Sequence, residues 1–176
     1  MHLDGSKTRE NLNNAFNAEA RANALYRLWA DIARQAGDYV TGQLFEKTAR
    51  NELAHAKVWY DLLNSVEPGT TQTLRLALDS ERFEWTQMYA DYAATARAEG
   101  FEDIARLFEG VGATEQTHET AFSDRLAVLL DGSAHCAARP VDWICQSCGH
   151  HQQGTTAPEV CPVCRHGQGY FLTTEK

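Results

Sequence analysis

An internal repeat constrains the fold of this chain more than any other feature of its sequence. A shift of 63 positions brings identical residues into register within the first 130 residues. The coinciding pairs are Tyr26 and Tyr89, Ala33 and Ala96, Gly37 and Gly100, Leu44 and Leu107, Phe45 and Phe108, Glu52 and Glu115, and His55 and His118. Each half is rich in helix formers and long enough for one helical hairpin. The repeat therefore predicts four helices in two hairpins, the organisation of a four-helix bundle.

Both hairpins are predicted to turn at a glycine. Gly37 and Gly100 stand where a helix ends, because glycine adopts the left-handed backbone conformation at little steric cost. Asp38 and Asp103 follow these glycines, and we predict that each caps the next helix. Tight turns between long helices are the expected result.

The chain divides into two domains of unequal size. Residues 1–134 are predicted to form the helical domain, since Lys7 to Leu130 contains one proline and abundant Ala, Leu, Glu and Arg. Residues 135–142 are expected to be a linker. Residues 143–176 contain two of the four prolines and four of the five cysteines, without helical periodicity. We expect them to form a small domain whose folding depends on a metal.

Composition excludes several classes of function. Sixteen Lys and Arg against 24 Asp and Glu give a formal net charge of −8, so we expect no nucleic-acid partner. No apolar run approaches the ~20 residues that cross a bilayer, and the polar N-terminus lacks the apolar segment of a secretory signal. We therefore expect a cytoplasmic protein without a membrane partner.

Two Glu-x-x-His pairs at equivalent positions of the repeat indicate a metal site. Glu52 and His55 recur as Glu115 and His118, and residues three apart share a helix face. Chance alone gives about 0.6 such matches in a chain of this composition, so a single pair would carry little weight. Large apolar residues flank both glutamates at intervals of seven, where a carboxylate without a partner is costly.

Further glutamates complete a known arrangement. Glu19 lies 33 residues before Glu52, and Glu81 lies 34 residues before Glu115. One Glu from each of two helices, with Glu-x-x-His from the other two, is the di-iron or di-manganese pattern of ferritin-like bundles. Glu84 shares the face of Glu81 and adds a fifth carboxylate. The competing interpretation is a set of exposed charges with two incidental histidines.

A tyrosine in each half lies close to the ligand face. Tyr26 comes seven residues after Glu19, and Tyr89 comes eight residues after Glu81. One interpretation makes them hydrogen-bond donors to ligand carboxylates. The other makes them ordinary tyrosines of the core.

The C-terminal cysteines form two Cys-x-x-Cys knuckles. Cys145 and Cys148 are separated by twelve residues from Cys161 and Cys164, a pattern that closes a tetrahedral sulfur site. Four thiolates select Fe or Zn, and the spacing does not choose between the two metals. Disulfide pairing is the alternative, although it is uncommon in the cytoplasm. Cys136 is left over, either as an incidental thiol or as a redox-reactive one.

The chain resembles the rubrerythrin family over essentially its whole length. The segments that carry the resemblance are NLNNAFNAEARANALY, FEKTARNELAHAK, SERFEWTQMYADYA, EGFEDIARLFEGVGATEQTHE and CQSCGHHQQGTTAPEVCPVC. The resemblance implies a mainly α fold, with a ferritin-like four-helix bundle followed by a small C-terminal rubredoxin-like domain. Ala18, Ser80 and Ala90 depart from the usual glycine, glycine and proline of the family, which affects local backbone geometry rather than ligation.

The resemblance also implies the ligands of two metal centres. The di-iron ligands would be Glu19, Glu52, His55, Glu81, Glu84, Glu115 and His118. A single Fe would be held by Cys145, Cys148, Cys161 and Cys164.

A reductive peroxidase of oxidative-stress defence is the activity that the resemblance implies. Hydrogen peroxide would take two electrons from two Fe ions, and the four-cysteine centre would return electrons from rubredoxin or an NAD(P)H-linked reductase. A storage protein needs no electron-transfer domain, so this domain favours Fe over Zn and a peroxidase over a ferroxidase or iron-handling protein. A third hypothesis is not enzymatic: a zinc-ribbon interaction module fused to a helical bundle with an empty site.

The connection between the second and third helices bears on assembly. Ferritin-like folds return along the bundle through one long crossover. Here only 25 residues separate His55 from Glu81. The sequence therefore predicts a homodimer in which two chains exchange hairpins through a hinge between residues 64 and 73. The alternative is an unswapped bundle with shortened helix ends.

Overall fold

The computed structural model describes residues 3–64 and 68–173, and the chain forms two compact units divided between Pro68 and Gly69. The first unit is a pair of helices, α1 (Lys7–Gln35) and α2 (Tyr39–Leu63), which we call the first hairpin. Ser6 caps α1 by accepting from the Arg9 amide. The middle part of the predicted hinge, residues 65–67, lies outside the described residues.

Small side chains let the two helices of the first hairpin approach closely. Ala30 of α1 and Ala49 of α2 are fully buried. Gly42 faces α1 so closely that an added Cβ would lie 3.2 Å from the Ala30 carbonyl oxygen. Asn23 donates to the Ala49 carbonyl oxygen at 2.6 Å and so ties the two helices together near the middle.

The second hairpin, in the second unit, runs from α3 (Thr70–Phe83) to α4 (Tyr89–Ala98) and back through α5 (Glu102–Leu130). A π-helical turn over Glu84–Met88 joins α3 to α4 without a break. Four long helical stretches are thus present, as predicted, but the third is divided by this turn. The second hairpin has a small buried core, made of Ala93, Ala96 and Ala105, against which Phe108 packs.

Both predicted glycine turns are confirmed, whereas one of the two predicted helix caps is wrong. Gly37 and Gly100 have φ of +82° and +86°. Asp38 caps α2 by accepting from the Thr41 amide at 3.0 Å. Asp103 is not a cap, because α5 begins at Glu102, two residues earlier than a cap at Asp103 would require, which places Asp103 in the first turn, beside Arg106.

The C-terminal region is a three-stranded antiparallel sheet of order β2–β1–β3, made of β1 (Cys136–Cys145), β2 (His151–Thr156) and β3 (Phe171–Leu172). Trp143 and Phe171 form its core together with Val141, Ala157 and two cysteines. Residues 135–142, expected to be a linker, contribute the first part of β1. The pairing with β2 shifts register between Cys136 and Val141, so the strand is irregular in this stretch.

The described helices are all too short or too polar to cross a membrane.

Candidate metal centres

The first hairpin brings three of the predicted ligands together. Glu19 comes from α1, whereas Glu52 and His55 come from one face of α2. His55 Nδ1 lies 3.0 Å from Glu52 Oε2 and 3.9 Å from Glu19 Oε2. One ligand atom of each residue lies within 4.8 Å of the others. We call Glu19, Glu52 and His55 the first ligand group.

The second hairpin repeats this arrangement. His118 Nδ1 lies 2.6 Å from Glu115 Oε2 on α5 and 3.6 Å from Glu81 Oε2 on α3. These three residues, the second ligand group, satisfy the same 4.8 Å limit. Two carboxylates and one imidazole are a donor set that suits iron and related divalent metals. Each hairpin by itself therefore presents one histidine and two carboxylates at a single point.

The two ligand groups combine partly buried carboxylates with more exposed imidazoles. The Glu52 and Glu115 side chains are 17% and 15% exposed, whereas His55 and His118 are 56% and 50% exposed. In each group this glutamate is therefore shielded from solvent, whereas the imidazole is accessible.

The Glu81 carboxyl of the second ligand group has a raised pKa. Desolvation raises the pKa of the Glu81 carboxyl, and a hydrogen bond and the charge of Glu115 raise it further. The charge of Glu84 acts in the same direction, while His118 opposes it. A cation placed between these carboxylates would reverse the balance, because opposite charge favours the ionised form. A metal ion bound here would offset the repulsion between these carboxylates.

Glu84, the fifth predicted carboxylate, lies beside the second ligand group rather than within it. It is the first residue of the π-helical turn, and Ser80 donates to its Oε1 at 3.2 Å. The hydroxyl thus occupies one carboxylate oxygen and leaves the other free for a ligand.

Glu119 is a polar partner that the sequence analysis missed. It accepts from Trp85 Nε1 at 2.5 Å and from Arg82 Nε at 2.7 Å. These two hydrogen bonds lower the pKa of the Glu119 carboxyl. They also fix the π-helical turn to α5, next to the ligand His118. Its position directly after a predicted ligand was the signal available in the sequence.

Tyr26 and Tyr89 both belong to aromatic clusters. Tyr26 packs near Trp29 and Phe45, with ring centroids 5.5 and 5.9 Å away. Tyr89 packs near Phe108 at 6.1 Å. Desolvation, followed by the charges of Glu115 and Glu84, raises the pKa of the Tyr89 phenol. The phenol therefore stays protonated near these carboxylates, and its role as a hydrogen-bond donor to them stays a prediction.

The four predicted cysteines converge in the C-terminal domain. Cys145 Sγ lies 3.7 Å from Cys164 Sγ, and Cys148 Sγ lies 3.7 Å from Cys161 Sγ. All four sulfurs lie within 4.8 Å of one another. Cys145 and Cys161 are buried, whereas Cys148 is exposed. This is the arrangement of a closed tetrahedral sulfur site for Fe or Zn.

The charge of the sulfur cluster points to a bound cation. Hydrogen bonds from His166, first of all from its backbone, lower the pKa of Cys164 to about 5. At Cys148 a backbone hydrogen bond from His150 lowers the pKa, but hydrogen bonds with the neighbouring thiols and burial outweigh it and raise the pKa to about 12. A divalent or trivalent metal bound by all four sulfurs would keep each of them deprotonated, because its positive charge favours the thiolate.

Comparison with known proteins agrees with both centres. The family model "Rubrerythrin" matches residues 10–126, and "Rubrerythrin, rubredoxin-like domain" matches residues 143–172. Rubrerythrin of Porphyromonas gingivalis is 33% identical over 96% of this chain and 90% of its own length. Rubrerythrin of Nitratidesulfovibrio vulgaris is 32% identical over 96% and 95%. A solved structure of partially reduced nigerythrin is 26% identical, covers 98% of this chain and 91% of its own, and has a TM-score of 0.36.

Proposed function

The chain belongs to the rubrerythrin family, and we propose on that basis that it is a non-haem di-iron peroxidase that reduces hydrogen peroxide to water. When bound, a diferrous pair supplies the two electrons that convert one hydrogen peroxide and two protons into two water molecules. The matching geometry of the two ligand groups is the observation that carries the proposal. Two ligand groups that each offer two carboxylates and one imidazole are suited to two metal ions of equal charge.

The seven proposed di-iron ligands have distinct tasks. Glu52 and Glu115 stand closest to the two histidines and orient the imidazoles. Glu19 and Glu81 supply the second carboxylate of each group. Glu84, with one oxygen already bound to Ser80, is the ligand that the second group can add. Tyr26 and Tyr89 are proposed as hydrogen-bond donors to these carboxylates.

The four-cysteine domain is proposed to return electrons to the di-iron site, with Fe rather than Zn held by Cys145, Cys148, Cys161 and Cys164. Four thiolates fit Fe or Zn, but only Fe can gain and lose the single electrons that a return to the di-iron site requires, because Zn has no redox chemistry. The electrons would come from an external donor, rubredoxin or an NAD(P)H-linked reductase. We further propose that the protein acts in the cytoplasm as a homodimer.

Replacing one ligand of the second group tests the proposal. Glu115→Ala or His118→Ala should lower peroxide turnover by more than about 100-fold, because even residues that only orient ligands contribute about 10–100-fold. The visible spectrum of the four-cysteine centre should remain, since its ligands lie in another domain. Glu102→Ala is the matched control, because Glu102 lies on the same helix and forms ion pairs with Arg97 and Arg106.

Two results would contradict the proposal. Wild-type peroxide turnover in the Glu115→Ala chain would exclude the di-iron assignment. Rapid oxidation of added Fe(II) by oxygen, with no consumption of peroxide in the presence of a reduced donor, would favour a ferroxidase instead.

A further inference from the structure

The segment between the two hairpins is too short to return along a bundle closed within one chain. α2 ends at Leu63 and α3 begins at Thr70, so seven Cα–Cα steps join the helices. Fully extended, seven steps span at most about 25 Å. This limit depends only on the number of residues and on where the described helices end.

A bundle closed within one chain needs a longer path. Eight residues of α2 follow His55, and eleven residues of α3 precede Glu81. At 1.5 Å per residue the helices extend about 12 Å and 16 Å beyond the two ligands. In a ferritin-like bundle the crossover runs back about 28 Å along the bundle axis and about 9 Å sideways, which is a straight-line distance of about 30 Å. The connector is therefore short by about 5 Å.

Hydrogen bonds oppose lengthening the connector by unwinding the helix ends. At the end of α2, the backbone and side-chain nitrogens of Asn64 both donate to the Tyr60 carbonyl oxygen, at 3.0 and 2.8 Å. At the start of α3, the Gly69 carbonyl oxygen accepts from the amides of Gln72 and Thr73 at 2.9 and 3.0 Å. Unwinding would break these bonds and still leave the connector fully extended.

Each hairpin also carries exposed apolar residues at equivalent positions of the repeat. Leu44 and Leu107 lie eight residues before Glu52 and Glu115, and they are 62% and 68% exposed. Trp29 and Tyr92, also equivalent, are 41% and 48% exposed. Paired hydrophobic residues of this size are typical of a surface that another hairpin covers.

We propose that a second copy of this chain completes each di-iron site, with the first hairpin of one chain packed on the second hairpin of the other. The inference rests on the proposed function, since it takes the two ligand groups to form one site. Each site then holds Glu19, Glu52 and His55 from one chain and Glu81, Glu84, Glu115 and His118 from its partner. A short connector favours such an exchange, and the continuing chain needs no return path.

Mixing two defective chains tests the exchange. A chain with Glu52→Ala and a chain with Glu115→Ala, carrying different affinity tags, are co-expressed, and dimers that carry both tags are purified. In a swapped dimer one site collects both substitutions and the other is intact. We expect about half of the wild-type di-iron content and about half of the wild-type peroxide turnover. In an unswapped dimer every site is damaged, so recovery of neither would overturn the proposal.

A matched pair excludes non-specific rescue. Dimers of a Glu52→Ala chain with a His55→Ala chain should regain nothing, because both substitutions lie in the first hairpin and every swapped site is damaged. Equal recovery in this control would also overturn the proposal. Tagged wild-type chains establish that subunits mix, and a wild-type protein that is monomeric with a full di-iron content would contradict the exchange directly.

The iron content separates this inference from the proposed function. If mixed dimers regain iron but neither they nor the wild type reduce peroxide, the exchange stands and the peroxidase proposal fails. If the wild type reduces peroxide and mixed dimers stay without iron, the exchange fails alone. An insertion of about ten Gly and Ser residues after Pro68 adds more than about 30 Å of reach. With this insertion in both chains of the mixing test, each chain can close its own bundle and the recovery of iron should be lost. Recovery that persists would show that connector length does not cause the exchange.

Discussion

Glu52 and His55 meet because residues three apart on a helix project from the same side, and Glu115 meets His118 for the same reason. In both pairs Nδ1 faces the glutamate, which leaves Nε2 on the far side of the ring. The glutamates Glu19 and Glu81 reach these pairs only through helix packing, at 3.9 and 3.6 Å from the imidazole nitrogens. The closer contact in each group is local in sequence, and the longer one is tertiary.

Asp38 provides a residue-level prediction about pH. A side-chain hydrogen bond with Thr41, aided by the Thr41 backbone, lowers the pKa of the Asp38 carboxyl. A carboxyl with a lowered folded-state pKa contributes stability above its unfolded pKa, and this contribution is lost as the pH falls through the folded value. Asp38→Asn keeps an oxygen acceptor at the helix N-terminus. We expect nearly equal melting temperatures at pH 7 and a smaller loss on acidification to pH 3 in the variant.

Circular dichroism at both pH values measures this difference. An equal loss of melting temperature in the two proteins would show that the ionised form of Asp38 adds nothing to the cap.

Individual residues were predictable where one local rule decided them. The Glu-x-x-His pairs, the two turn glycines and the four cysteines follow from spacing alone, and the structure brings their side chains or backbone into the expected places. Asp103 failed as a cap because α5 starts two residues earlier than predicted, which moves Asp103 into the helix. Glu119 was missed because its partners, Arg82 and Trp85, are distant in sequence.

The π-helical turn is the main difference between the two hairpins at the level of elements. Glu19 and Tyr26 are seven residues apart, whereas Glu81 and Tyr89 are eight apart. The extra residue falls within Glu84–Met88, where the helix widens to accommodate it. Turns of this kind are found most often at functional sites. The unequal spacing is visible in the sequence, but spacing alone does not tell a wider turn from a kink or a loop.

Close packing of α1 on α2 leads to a prediction at Gly42. An added Cβ would lie 2.9 Å from Arg34 Cγ and 3.2 Å from the Ala30 carbonyl oxygen. The arginine can move, but the backbone oxygen cannot move without separating the helices. We expect Gly42→Val to lower the free energy of unfolding by about 1–3 kcal/mol.

Gly110 provides the control, because nothing lies within 4 Å of a Cβ added there, in the interior of α5. Gly110→Ala should raise stability by about 0.5–1 kcal/mol, since alanine restricts the unfolded chain and favours helix. Urea unfolding of both variants measures the two effects. A destabilisation of equal size at the two glycines would mean that helix approach at Gly42 is not the cause.

At the scale of the whole molecule, the division of the chain was less predictable than its parts. The four helices and the rubredoxin-like region follow from periodicity and cysteine spacing. The hinge does not, because the exact ends of α2 and α3 decide whether the connector can return. The sequence places the hinge between residues 64 and 73, nine Cα–Cα steps apart, whereas the described helix ends at Leu63 and Thr70 leave seven steps. A difference of this size decides the course of the chain although it hardly alters either helix.

The proposed division of labour between the two metal centres gives the last prediction. Cys161 is fully buried among the four sulfurs, so Cys161→Ser should abolish the visible spectrum of an Fe centre there. Peroxide turnover with an external donor should then be lost. The di-iron site, once reduced chemically, should still be oxidised a single time by added peroxide, since its ligands lie on the helices. Cys136→Ser is the matched control, because Cys136 is exposed and outside the sulfur cluster, and it should keep full turnover. Unchanged donor-coupled turnover in the Cys161→Ser protein would show that electrons reach the di-iron site without the four-cysteine centre.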